Sequence, residues 1–221
     1  SKAVKEHLIE DLKIEKQRIR VIHNGIDRND FSSTTKKTKS DYGFKETDFL
    51  LGMLGRVSEE KGHFLAAEAT KHLSLKYNNL YLLICGKGKI QKKLESFLGQ
   101  INIKQRVHFI DCQAQEFLDI IDLLLVPSRK EGFGYSILEA FVKNIPVIGF
   151  NTGGISEIIK HKENGLLFYK YDSYSLEKAI EEVMMDEKLK AQIIEGAKRS
   201  LPFFSLQTMA LATEKVYEEV V

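Results

Sequence analysis

The chain has 221 residues, 43% of them hydrophobic and 29% charged, which is enough for one generous domain, or one domain plus a fragment. Its 33 Lys and Arg against 31 Asp and Glu leave a formal charge of +2, a balance that argues against a nucleic-acid binder and an acidic-tail protein. Two cysteines without CxxC spacing and apolar runs far short of the roughly 20 residues of a membrane helix argue against a disulfide framework and a spanning segment, so a reducing cytoplasm is the expectation.

The chain begins at Ser1 with no visible signal peptide and reads as a piece of something longer. Val4, Leu8, Ile9 and Leu12 recur at helical spacing over residues 2–13. Residues 18–25, RIRVIHNG, read as a short strand entering an Asn24-Gly25 turn, and 32–41, SSTTKKTKSD, as a polar surface loop. Strands and helices then alternate. Strands are expected at 49–55, 79–86, 106–111, 122–128, 146–150 and 165–168. The helices between them are expected at about 61–77, 89–99, 115–121, 134–143 and 154–160, and helices over 173–185, 187–199 and 205–220 close the chain. The strands are continuous apolar runs, as expected where both faces are covered, so the fold class is α/β with a doubly wound, Rossmann-like parallel sheet. Ligands of such sheets bind beyond the carboxyl ends of the strands, and each glycine-rich element of this chain lies just there.

GRVSEEKG (55–62) follows the first of these strands. Gly55 permits a tight turn, and the fork of Arg56 with the flexible Lys61 suits a diphosphate, although taken alone the pair reads more simply as two solvated surface cations. CGKGKIQ (85–91) ends the next strand but breaks the dinucleotide fingerprint at Gln91, and no P-loop is present. Gly86 and Gly88 therefore serve either close packing or close approach to a ligand such as a base. EGFGYSILE (131–139) opens a helix with Gly132 and Gly134 at its mouth, an anion site by its free N–H groups. Glu131 would repel phosphate there and better suits sugar hydroxyls. Were all eight steps helical, Glu131 and Glu139 would lie ~12 Å apart along the axis, beyond the roughly 5–9.5 Å of glycosidase acid–base pairs. Two-point binding of one extended ligand fits better. In NTGGISEII (151–159), Glu157 reads first as a helix cap and second as a ligand contact. No HExxH, His/Cys cluster or DxD pair supports a metal. Lys89, Lys92 and Lys93 read as a solvated helix face, with contact to an anionic membrane as the minor alternative.

Taken together, VIHNGID (21–27), GRVSEEKG, ICGKG (84–88), VPSRKEGFGYSILEAF (126–141), PVIGFNTGGISEII (146–159), ENGLLF (163–168) and FFSLQ (203–207) resemble the C-terminal, nucleotide-sugar-binding domain of the retaining GT-B glycosyltransferases of group 1, family 4 type. The resemblance spans nearly the whole chain. It implies a catalytic group of Arg56, Lys61 and Glu131, with the two cations on the donor diphosphate and Glu131 on the donor sugar. Gly55, Gly86, Gly88, Gly132, Phe133, Gly134, Tyr135 and Glu139 would complete the donor site, Glu139 on the ribose and the Gly86–Gly88 loop beside the base. The donor would be a UDP- or GDP-linked sugar, with no cofactor or metal, and the departing phosphate would take the acceptor's proton.

By the same resemblance, residues 1–20 are the last helix of an N-terminal acceptor domain, 21–204 the donor domain, and 205–221 a helix packing back towards the first. The acceptor would be a glycan or lipid-linked molecule, reached in the cytoplasm or at the inner face of the membrane. Departures from the family pattern are Asn144, where Gly is frequent, and Asp111-Cys112, where Gly is also frequent. Asn tolerates left-handed geometry, which makes the first departure mild. A non-catalytic nucleotide-sugar-binding subunit and a GT-B-fold epimerase are the alternatives, and a nicotinamide oxidoreductase is disfavoured by the broken fingerprint.

Overall fold

A computed structural model describes residues 1–31 and 36–220. Six strands, β1 (Phe49–Leu54), β2 (Leu80–Cys85), β3 (Val107–Ile110), β4 (Leu123–Val126), β5 (Val147–Phe150) and β6 (Leu166–Phe168), form one sheet in the order β3-β2-β1-β4-β5-β6. Every adjacent pair is parallel. The chain builds outward from β1 to β3, then crosses back to lay β4 against the other side of β1. That reversal opens a crevice between the carboxyl ends of β1 and β4.

Nine helices are described: α1 (Lys2–Glu10), α2 (His63–Ser74), α3 (Gln91–Gln100), α4 (Ala114–Ile120), α5 (Tyr135–Val142), α6 (Ile155–Ile158), α7 (Ser173–Met185), α8 (Glu187–Ser200) and α9 (Leu206–Val220). None is long and apolar enough to cross a membrane. Alternate residues of each strand enter different cores. Leu51, Met53, Leu82 and Leu125 pack with α2, α3 and α7, whereas Leu50, Leu83 and Leu124 pack with α4 and α5. Both sets are almost wholly buried, so the strand sequences lack the polar alternation of a one-sided sheet. At roughly 25 cal/mol per Å² of apolar area, these two layers are the main stabilising term. Asp172 and Asp186 cap α7 and α8, accepting from the N–H groups of Ser175 (2.7 Å) and Leu189 (2.9 Å). Asn144, just beyond α5, adopts a φ of 59°, the left-handed geometry that the sequence suggested it could bear.

Two expectations need correction. Residues 18–25 do not form a strand: Lys16–Arg18 is a 3-10 turn and 19–25 run irregularly outside the sheet. Its backbone joins the body at its end, where Ile26 bridges to Ser205 and donates its N–H to Phe204 O at 2.8 Å. An apolar extended run is a strand only if a sheet edge meets it, and here a C-terminal turn does instead. The polar loop at 32–41 lies partly outside the described residues; within it Lys39–Tyr42 forms a 3-10 turn, with Lys39 anchored to Asp122 at 2.8 Å.

Candidate active site

At the crevice, β1 runs into Gly55 and Arg56, a 3-10 turn spans Glu59–Lys61, and α2 begins at His63. From β4, residues 127–134 lead into α5, with Gly134 at a φ of 93° where a side chain would be strained. These loops bring together two residues 70 positions apart in sequence: Lys61 Nζ lies 2.5 Å from Glu131 Oε2. The buried Ser128 hydroxyl donates to the same oxygen at 3.3 Å. Arg56 is exposed beside them, without a hydrogen-bond or ion-pair partner among the described residues. Backbone bonds stitch the loops into one unit. Arg129 N–H donates to Glu60 O (2.7 Å), and Gly154 N–H to Glu131 O (2.9 Å). The Arg129 guanidinium lies 4.3 Å over the Tyr171 ring. The Ser58 hydroxyl, donating to Glu60 at 2.7 Å, holds that carboxyl below the usual glutamate range.

The resulting cleft has a volume of about 660 Å³ and is lined by Arg56, Lys61, Arg129, Lys130, Glu131 and Gly132 together with Ala3, Val4 and His7 of α1. A smaller space behind the Lys61–Glu131 pair is lined by Ser128, Ser136 and His63. His63 is 2% exposed, and its Nδ1 has no partner among the described residues. Burial drives its pKa down to about 4, opposed by backbone at Ser58 and aided by the nearby Lys61 charge.

Of the residues singled out from sequence, Arg56, Lys61, Glu131 and Gly132 converge on the cleft. Gly55 lies on the smaller space. Tyr135, 41% exposed, opens α5, and Glu139 sits in its second turn. Glu139 is half-buried with no hydrogen-bond partner among the described residues, and burial raises its pKa. The Phe133 ring turns inward, stacking on His23 at 5.7 Å and meeting Phe204 edge-on at 6.1 Å, which leaves its backbone as the part free to meet a ligand. Gly86 and Gly88 are occupied by packing. A Cβ at either would lie 1.9 Å from a backbone carbonyl, that of Gly55 or Val57.

Lys93 pairs with Glu59 at 2.7 Å. Glu157 is a cap, as the first reading had it, but of α1 rather than of its own helix. Its oxygens accept from the N–H groups of Lys2 and Ala3, both at 2.9 Å, and contact His23 Nε2 at 2.7 Å. Burial alone would raise the Glu157 carboxyl, but these bonds hold it below the usual range. Sequence reasoning missed His63, Arg129 and the α1 wall. Only the adjacent Arg129-Lys130 cations carried a visible signal. Among the described residues no three His, Cys, Asp or Glu side chains converge in a way that could hold a metal ion.

The family model described as glycosyl transferases group 1 matches residues 34–200. The chain belongs to this family. An uncharacterized glycosyltransferase of Methanocaldococcus jannaschii is 30% identical over all of this chain and 58% of its own length. The D-inositol 3-phosphate glycosyltransferase of Corynebacterium jeikeium is 27% identical over 91% of this chain and 52% of its own. This group 1 chain thus spans little more than half the length of the curated relatives it matches. Among solved structures, Anabaena HepE in complex with UDP-glucose superposes with a TM-score of 0.85, at 23% identity over 99% of this chain and 62% of that one. The C-terminal domain of a group 1 protein from Francisella tularensis superposes with a TM-score of 0.72 at 24% identity, covering 82% of this chain and 100% of that domain. At such identities the likeness concerns the fold, which is the C-terminal Rossmann-like half of GT-B.

Proposed function

We propose that this chain is the donor-binding half of a retaining glycosyltransferase that moves a sugar from a UDP- or GDP-linked donor to a glycan or lipid-linked acceptor. The observation that carries the reading is the Lys61–Glu131 contact at the β1/β4 crevice, with Arg56 beside it and the mouth of α5 behind. A cation for a diphosphate and a carboxylate for a sugar are held against each other, as the two ends of one donor require. Arg56 and Lys61 stabilise the negative charge that grows on the departing diphosphate. The N–H groups around Gly132–Tyr135 meet sugar and phosphate, Glu131 the sugar hydroxyls, and Glu139 the ribose hydroxyls. The C1–O bond to the diphosphate breaks as the acceptor oxygen bonds C1 from the same face, and the acceptor's proton passes to the departing phosphate oxygen. Residues 1–20 and 205–221 connect to the acceptor domain, and the work is done in the cytoplasm, in polysaccharide or lipopolysaccharide synthesis.

Calorimetric titration of the folded chain with UDP and GDP tests this. One nucleotide is expected to bind, and binding of neither sinks the proposal. Arg56→Ala or Lys61→Ala is expected to weaken the nucleotide by about thirtyfold, the low end for removing one partner of a partly buried charged contact, and the nucleoside far less. Equal losses for nucleotide and nucleoside would refute the diphosphate role.

A further inference from the structure

The four-residue helix α6 carries Glu157, and its carboxylate serves a helix more than 150 residues away in sequence. α1 contributes no buried residue, and nine residues alone make a marginal helix in water. Its place is therefore set by few contacts. Glu157 accepts from the N–H groups of Lys2 and Ala3, two of the donors that a helix start leaves unsatisfied, and its charge lies at the positive end of the helix. The Ser1 hydroxyl donates to Gly132 O, and Lys5 Nζ donates to Ile19 O at 2.7 Å. The other partner of Glu157 is His23, whose ring stacks on Phe133 of the EGFG loop. Gly154, immediately before α6, is bonded to Glu131 O. One carboxylate thus joins α1, the 19–26 segment and the loop that carries Glu131. Ala3, Val4 and His7 of α1 line the same cleft as Arg56 and Lys61.

We propose that Glu157 is a positioning residue for the sugar end of the donor cleft: by capping α1 it fixes the wall of Ala3, Val4 and His7 at its working distance from Gly132 and Glu131. The inference rests on the donor reading above for what fills the cleft, but not for the capping itself. On the donor reading the sugar end lies nearest this wall, beside Gly132 and Glu131, so removing the cap is expected to weaken the hexose-bearing ligand more than the bare nucleotide.

The test compares Glu157→Ala and Glu157→Gln with wild type in titrations with UDP, UDP-glucose, GDP and GDP-mannose, alongside hydrogen exchange of the α1 amides. For Glu157→Ala, affinity for the nucleotide that wild type binds is expected to stay within about twofold, while its sugar conjugate weakens by about tenfold, the scale of a lost cap. The α1 amides exchange faster, with β1 and β4 unchanged. Glu157→Gln keeps an acceptor oxygen without the charge and falls between; should the alanine variant disturb the sheet, the glutamine variant decides. Unchanged α1 exchange, or equal losses for nucleotide and conjugate, overturns the proposal. If wild type binds none of the four ligands the donor reading fails, and the exchange data alone decide whether Glu157 fixes that wall.

Discussion

Two of the glycine-bearing mouths on the carboxyl edge of the sheet, CGKG and EGFG, look alike in sequence and differ in what surrounds them. After β2, the CGKG loop is zipped to residues 55–57: Gly55 N–H donates to Cys85 O at 2.9 Å and Val57 N–H to Lys87 O at 3.1 Å. A Cβ on Gly86 or Gly88 would collide with that backbone. After β4, a Cβ on Gly132 would meet only Val4 Cγ2, at 3.6 Å. Nearby lie a carboxylate held against Lys61 and a buried imidazole nitrogen with no partner among the described residues. The first mouth is accounted for by packing. The second keeps open space and a buried polar atom that packing does not account for, which is why the proposed donor is placed there.

The sharpest break of this comparison is Gly86→Ala. The residue has a φ of 141°, and the added methyl would overlap the Gly55 carbonyl, so backbone must move. The expected loss is about 3–5 kcal/mol, in the range of severe backbone and overpacking changes, measured by urea unfolding. A loss below about 1 kcal/mol would mean that the loop is not locked in this way.

His63 probes the other mouth. Its folded pKa of about 4 lies below the unfolded value, so between pH 6.5 and 4 the unfolded chain takes up a proton that the folded chain refuses. Stability contributed by the neutral imidazole is complete above the unfolded value and falls as pH drops through that window, by about 3 kcal/mol in all. His63→Leu removes this acid sensitivity and relieves the unpartnered nitrogen. The variant is expected to match wild type at pH 7 and exceed it increasingly down to pH 4, as followed by denaturant midpoints. Coincident pH profiles would show that His63 does not sit neutral and buried.

The sheet was legible because LYLLIC and LLLV are uninterrupted apolar runs set off by turn residues, even where the helix between neighbours is as short as α4 or α6. Residues 18–25 misled because periodicity registers extension, and what an extended segment pairs with is decided by chain far away, here the turn at Phe204 and Ser205. The cleft was half legible for the same reason. Arg56, Lys61 and Glu131 stand in glycine-marked loops whose chemistry reads locally. That Lys61 and Glu131 touch depends on β1 and β4 being neighbours, and that Glu157 caps α1 depends on a helix at the opposite end of the sequence. The glycines of CGKG could not be assigned from sequence, since packing and ligand approach ask for the same missing side chain.

Gly132→Ala gives the smallest expected effect on stability and the finest cut between the two mouths. The new methyl meets Val4 Cγ2 at an ordinary contact distance, and Gly132 is exposed, so the change is expected to stay within about 0.5 kcal/mol, as for other surface substitutions. The methyl nevertheless lines the cleft, between Glu131 and the α1 wall, where the donor sugar is proposed to lie. Affinity for the sugar conjugate should therefore fall by several times while the bare nucleotide is unaffected, a split that calorimetry resolves. A variant that loses stability as Gly86→Ala does would make Gly132 a packing glycine too, and the difference between the mouths would vanish. A variant that binds conjugate and nucleotide as wild type does would leave Gly132 open but place the sugar elsewhere along the cleft.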